Sequence, residues 1–463
     1  MRRPIQVEMP YQAPFKYFYG VAKERFSILL DSSRKHDSLG RYSFIGIDPA
    51  LTLIYKDDVL WINNKKVNKT VFEWLKEWVV NHQCENIPNT SPFQGGWMGL
   101  FGYDLNRQFE SIPYPKYAHN PYYDCALGYY DVVLSFDNLK KQAWLFSNGI
   151  PIEDPIKREK HAQNRLQACL EKLKPIVPYS PSNETINERL IRSPFNKASY
   201  SRKVQRLIDY ILAGDIFEGT MSQRFEGPLP NLHPIALYER LRRFNPAPFS
   251  AYLNLGDQWI LSASPERFIQ LKNRQIETRP IKGTIPRSLD IAQDKANAQM
   301  LSNSVKDRAE NVMIVDLMRN DLSKVCEPHS VKVPQLCKIE SFETVHHLVS
   351  VVTGTLKKEL NCIDLLQATF PGGSITGAPK VRAMELIAEL EPTVRGPYCG
   401  SMGYIGANGD MDTSIIIRTL LVKDNQVSFQ VGSAIVADSS PEAEFEESLA
   451  KAAALIKTLI QSE

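Results

Sequence analysis

A layered protein that mixes strands and helices, built as two lobes or one large domain, is what the sequence predicts. Three observations carry that expectation. The chain has 463 residues, too many for one small core. Up to about residue 173 it is dense in short strand-like runs. After a proline-rich stretch the pattern turns to alternating helices and strands.

The elements follow in order. Residues 27–31, 41–46 and 51–55 join apolar and aromatic residues between turn residues, which predicts strands. Residues 95–104 form a glycine-punctuated strand, where missing side chains let another backbone come close. A helix is expected over 159–173, then a linker over 175–183, separating an N-terminal region (1–180) from a second region (190–463). Residues 198–213 place Val204, Leu207, Ile208 and Ile211 at helical spacing and stop at Gly214. Residues 259–264 and 267–271 read as strands, 309–322 and 381–390 as helices. Residues 414–422 and 426–431 read as a hairpin across Lys423-Asp424-Asn425. Residues 441–460 form an amphipathic helix, with Pro441 near N1 and acids in its first turns.

Composition excludes several classes of function. A hydrophobic content of 43% and a charged content of 23% describe an ordinary soluble globular protein. The net charge of +3 is small, and no basic run or aromatic-basic stripe appears, so no nucleic-acid partner is expected. Seven scattered cysteines without a CxxC pair point to reduced thiols in a cytoplasmic protein, not to a disulfide framework or a zinc site. No apolar leader or bilayer-length run is present, and no membrane association is expected.

The residues that could carry chemistry are scattered along the second region. Lys282, in Pro280-Ile281-Lys282-Gly283-Thr284, sits between a strand-like run and a turn; a deprotonated amine there is a candidate nucleophile, against the bland alternative of a solvated surface lysine. Glu444 and Glu447 share one helix face, and Glu310 lies on another helix. Three carboxylates from two helices suit Mg²⁺, although a solvated, dipole-favoured helix start explains the C-terminal pair equally simply. Arg418 ends a run of isoleucines, so it should be buried against an anion, either a substrate carboxylate or a structural aspartate. The turn from Gly372 to Lys380 and the Gly432-Ser433-Ala434 segment could offer amides to an anion, or be plain turns. Glu266 at a strand turn is a candidate general acid or base. His347 reads first as a core histidine, and it cannot face the same site as His346 on one strand.

The order of these motifs resembles that of the chorismate-utilising enzymes: the anthranilate synthase large subunit, aminodeoxychorismate synthase component I, and the isochorismate and salicylate synthases. The matching residues are 280–284, Asp307-Arg308-Ala309-Glu310-Asn311, 371–380, 409–419, 435–439 and Glu444-x-x-Glu447-Ser448-x-x-Lys451. Residues 29–32, 41–44 and 95–97 extend the likeness into the N-terminal region. The resemblance implies an α+β fold of two face-packed β-sheets flanked by helices, an αββα sandwich, with the active site in the cleft between lobes. It further implies Mg²⁺ held by Glu310 and Glu447 with help from Glu444, and an enolpyruvyl carboxylate at Arg418 and Tyr398. Thr284, His347, Ser374, and the amides near Gly432 and Ala434 would line the rest of the pocket, with Lys451 close to the metal-bound carboxylate.

Lys282 discriminates within the family. Anthranilate synthases usually carry alanine there, whereas aminodeoxychorismate synthases carry lysine, and residues 245–251 also look more like the latter. That likeness implies chorismate and ammonia as substrates, 4-amino-4-deoxychorismate as product, Lys282 as a covalent nucleophile and Glu266 as its acid. It also implies a separate glutamine amidotransferase subunit, since no Gly-x-Cys-x-Gly elbow is present. Ser32 and Arg41 lie where relatives bind tryptophan. The alternatives are anthranilate formation on the same substrate, or a silent tryptophan-binding regulator. One departure stands out: Glu218-Gly219-Thr220 replaces a Gln-Val-Asn-like triplet. Ser433-Ala434 replaces a smaller Ala-Gly pair, which would slightly narrow the carboxylate cradle.

Overall fold

The computed structural model describes residues 2–33, 39–117, 119–176, 184–342 and 345–461; most of the expected linker, 177–183, lies outside them. Among the described residues the chain forms two large antiparallel sheets. The first runs through Ile5–Met9, Gln142–Ser147, Val132–Asp137, Tyr42–Gly46, Ile28–Asp31, Phe249–Asn254, Gln258–Ser264, Thr419–Lys423, Gln426–Ile435, Glu218–Pro228 and Gly377–Ala378. The second runs through Ile281–Pro286, Val345–Thr355, Gln275–Thr278, Arg267–Lys272, Met411–Ile415, Ser401–Gly406, Gly96–Phe101, Cys125–Tyr130, Leu51–Lys56, Val59–Ile62 and Lys65–Val67. Each sheet draws strands from both halves of the chain.

The sheets pack face to face, as expected. Ile28, Phe44, Leu253 and Ile260 of the first meet Met98, Leu100, Tyr130 and Met402 of the second in one buried cluster. Helices Lys197–Leu212, Pro234–Phe244 and Pro441–Ile460 cover the outer face of the first sheet, and Val71–Asn81, Val305–Ser323 and Cys362–Thr369 that of the second. Glycine makes close packing within the second sheet possible: a Cβ on Gly99 would stand 2.1 Å from the carbonyl oxygen of Ala126.

Local sequence explains the helix ends. Helix Lys197–Leu212 starts at an Asn196–Ser199 capping box, buries Tyr200, Val204, Leu207 and Ile208, and is followed by Gly214 at φ 85°. Helix Pro441–Ile460 has the expected ends, with proline in its first turn and Glu444, Ser448, Ala452, Leu455 and Leu459 turned inward. Helix Ile291–Asn303 is capped by Asp290 but has no apolar stripe to signal it, because it buries only Leu301.

One expected strand divides. Residues 414–422 do not run as a single strand: the chain leaves the second sheet at Ile415 and enters the first at Thr419. Ile415 and Ile416 are apolar because the crossing is buried, not because a strand continues. The hairpin to Gln426–Ile435 is as expected, with Asp424 and Asn425 both at positive φ in a two-residue turn. A second crossing lies alongside, where Pro265-Glu266 joins Gln258–Ser264 to Arg267–Lys272. The Ala263 amide donates to the Arg418 carbonyl (3.1 Å) and the Ile415 amide to the Glu266 carbonyl (3.1 Å). All seven cysteines are buried and free, and among the described residues no helix is long and apolar enough to cross a membrane.

Candidate active site

Lys282 is buried, 8% exposed, not a solvated lysine beside a turn. Strand Ile281–Pro286 pairs with Val345–Thr355, and the register slips between Lys282 and Thr284. Gly283 is the extra residue of this bulge, at φ 77°, where a Cβ would meet the Asp307 carboxylate at 2.8 Å. The Lys-Gly-Thr sequence therefore aims the amine locally. Its Nζ donates to Glu218 Oε1 at 2.6 Å. Burial alone works against the ammonium, but the charge and hydrogen bond of Glu218, with Glu310 and Glu266 behind it, hold the amine above the usual lysine range.

Glu218 is fully buried near the start of strand Glu218–Pro228. Gly377–Ala378, from the glycine-rich turn, adds to that strand's edge, pairing Ala378 with Glu218. Thr220 fastens the same turn: its hydroxyl donates to Ile375 O at 2.8 Å and accepts from Arg395 at 3.0 Å. The departing triplet thus faces Lys282 at one end and anchors the turn at the other.

Glu266, in the sheet crossing, accepts the Ser374 hydroxyl at 2.7 Å. Burial pushes its carboxyl up to about 7, against the pull of Ser374, the Lys282 charge and the Ile281 amide. Thr284 and His347 share a hydrogen bond of 2.7 Å. His346 turns instead to Ser341 and Asp294, so the two adjacent histidines do serve different faces. Tyr398 is buried beneath the Arg395 guanidinium, which lies 5.8 Å from its ring, and burial raises its hydroxyl.

Arg418 corrects an expectation. It is exposed, not buried, because it sits at φ 51° in the crossing, where the isoleucine run has already ended. Lys451 reaches the Gly432 carbonyl (3.0 Å) and Glu447 (2.8 Å) on the outer helix. Gly432 and Ala434 pair with Ser222 and Thr220, beside the Glu218 strand.

The three acidic residues are arranged unevenly. Glu310 and Glu444 each lie 3.9 Å from the Lys306 ammonium, which stands between the two helices. Ser433 and Ser439 donate to Glu444. Glu447 pairs with Lys451, and among the described residues no three acidic, histidine or cysteine side chains gather as a metal cage. Burial, reinforced by Glu218 and Asp307 and opposed by Lys282 and Lys306, pushes Glu310 up to about 7. Glu310 and Glu444 offer carboxylate oxygens of the kind a hard divalent cation takes, on either side of the Lys306 ammonium. Sequence reasoning missed Lys306, whose four-residue spacing from Glu310 was the available signal.

Ser32 and Arg41 lie elsewhere, at a cavity of about 290 Å³ with Tyr42, Phe44, Met402 and Tyr404 on its walls. Arg41 is paired there with Asp137 at 2.6 Å, and the Ser32 hydroxyl donates to the Tyr42 carbonyl.

A two-sheet sandwich with a buried lysine, flanking carboxylates and a glycine-rich turn at the sheet crossings defines a class. The chain belongs to the chorismate binding enzyme family, which matches residues 25–457, and is a chorismate-utilising enzyme. It is 40% identical to aminodeoxychorismate synthase component 1 of Salmonella typhimurium over 97% of this chain and 96% of that protein. It is 38% identical to anthranilate synthase component 1 of Thermus thermophilus, covering 95% and 94%. The solved anthranilate synthase component I of Streptococcus pneumoniae superposes with a TM-score of 0.79 at 31% identity, covering 91% of this chain and 93% of that one.

Proposed function

We propose that this chain is an aminodeoxychorismate synthase component I, converting chorismate and ammonia to 4-amino-4-deoxychorismate. The observation that carries the reading is the burial of the Lys282 amine and the Glu266 carboxyl in one charged neighbourhood, where burial pushes Glu266 up to about 7. Such a pair supplies a nucleophile and an acid in one pocket. Lys282 bonds to ring C2 while the C4 hydroxyl leaves with the proton of Glu266. Ammonia then bonds to C4, the ring double bonds shift back, and the C2–N bond breaks to free the lysine. The Thr284–His347 pair, Ser374, Tyr398, Arg418, the amides near Gly432 and Ala434, and Lys451 line the substrate's path. Mg²⁺, when held by Glu310, Glu444 and Glu447, would draw charge toward the ring carboxylate.

The ammonia comes from a separate glutamine amidotransferase subunit, and the product feeds 4-aminobenzoate and folate synthesis. Tryptophan is the proposed occupant of the cavity at Ser32 and Arg41. The rival reading, anthranilate formation, draws on the 38% identity to the Thermus thermophilus protein, but Lys282 occupies the approach to C2 that ammonia would need.

Product identification tests this. Incubation with chorismate, Mg²⁺ and ammonium should yield 4-amino-4-deoxychorismate, seen as 4-aminobenzoate after lyase treatment; anthranilate as the main product overturns the reading. Without ammonia, mass spectrometry should find an adduct on the Lys282 peptide, absent in Lys282→Ala, whose turnover should fall about a thousandfold.

A further inference from the structure

Two buried carboxylates near the site are held very differently. Glu391 accepts from the Ser222 amide (2.9 Å) and hydroxyl (2.7 Å) and from Arg395 Nε (2.9 Å) and Nη2 (2.7 Å). It is a fully satisfied structural anion. Glu218 is equally buried, yet among the described residues its Oε1 takes a single hydrogen bond, from Lys282, and its Oε2 has no partner. A buried carboxylate held by so few donors is poorly stabilised as an anion, unlike Glu391. The 2.6 Å bond from Nζ to Oε1 gives a proton a direct path to it.

We infer that Glu218 is the base that unmasks Lys282, taking one ammonium proton so that the amine can attack. The role rests on the covalent reading proposed above. Atoms and charge balance through the cycle. The proton passes from Nζ to the Glu218 carboxylate; the Nζ lone pair forms the bond to C2; the C4–O bond breaks, and water departs with the proton of Glu266. The adduct nitrogen is then positive, Glu218 neutral and Glu266 negative, the same net charge as before. When ammonia displaces the lysine, Glu218 returns its proton to Nζ and the new ammonium at C4 reprotonates Glu266. The exchange with Lys282 needs no proton from solvent. Other charged groups around the pair are Glu266 on the crossing, and Glu310, Lys306 and Asp307 on helix Val305–Ser323.

The test compares rates of Lys282 adduct formation, read by intact-protein mass, for the full chain and Glu218→Gln at saturating chorismate and Mg²⁺. In the unaltered protein the proton moves inside the pair, so pH leaves that step alone. In Glu218→Gln the amine must already be free; Glu310 and Glu266 still favour the ammonium there, so below its pKa that fraction falls about tenfold for each pH unit. The ratio of variant to parent rate should therefore fall about tenfold per unit between about pH 8 and about pH 6, with limbs owed to Glu266 and Glu310 common to both. Glu218→Asp, which keeps a carboxylate, should react more slowly with a pH-independent ratio. Parent adduct with a level Glu218→Gln ratio overturns the role of Glu218 alone. If Glu218→Gln fails to fold, Glu218→Asp decides: a level ratio supports the base, a falling one overturns it. No parent adduct at any pH overturns the covalent reading, and this role with it.

Discussion

The inter-sheet cavity and the Lys282 pocket are built from the same kinds of residue and treat charge in opposite ways. The arginines at and behind the cavity wall each have an anion: Arg41 with Asp137, Arg242 with Asp31, and Arg267 with both Asp412 (2.9 Å) and Glu277 (2.8 Å). Around Lys282 the accounts stay open. Among the described residues one oxygen of Glu218 has no partner, Glu266 and Glu310 are both pushed up to about 7, and Lys306 is shared by two carboxylates. Closed ion pairs hold a wall in place; unbalanced ones suit the pocket proposed to receive protons and substrate charge.

Four experiments can break or sharpen that contrast. Glu266→Gln removes the proposed acid and should slow turnover about a thousandfold. In the unaltered protein the same residue sets an alkaline limb: its carboxyl is protonated below about 7 and ionised above, so the rate should decline as pH climbs through 7. A flat rate from about pH 6 to about 9 removes Glu266 from the acid role. Arg267→Ala, on the closed side, should cost about 3 kcal/mol in urea unfolding by stranding Asp412 and Glu277. Protein that remains folded should still form the Lys282 adduct; loss of the adduct in folded protein would make the wall part of the machinery. Arg41→Ala should cost least, about 1 kcal/mol or below, since Arg41 is a third exposed and backbone amides of residues 139 and 140 still satisfy Asp137. A loss as large as that of Arg267→Ala would show the cavity to be more tightly coupled than its exposure indicates.

Much of the site was legible where chemistry and chain geometry coincide. Lys282-Gly283-Thr284 reads as a strand-like run meeting a turn, and glycine's positive φ makes it a bulge, while residues 441–460 announce a helix through proline, acids and spacing. The face-packed sheets followed from family likeness, since no local pattern states which strands meet. Glu218 was visible only as a departure. Its partner lies 64 residues away, and two residues brought together by separate sheets leave no mark in either neighbourhood. The division of residues 414–422 was hidden for a similar reason: a buried crossing and a buried strand are equally apolar over so short a run. Helix Ile291–Asn303 escaped because solvent, not a core, faces most of it.

The paired crossings have a consequence for how this chain can vary. Residues 263–266 and 415–418 are stitched to each other by two amides, one in each direction, as both pass between the sheets. A single-residue insertion in either segment would shift the acid or the arginine to the wrong face unless the other segment lengthened too. Length changes here should be tolerated in matched pairs or not at all, and a library of insertions at these two places would reveal that dependence directly.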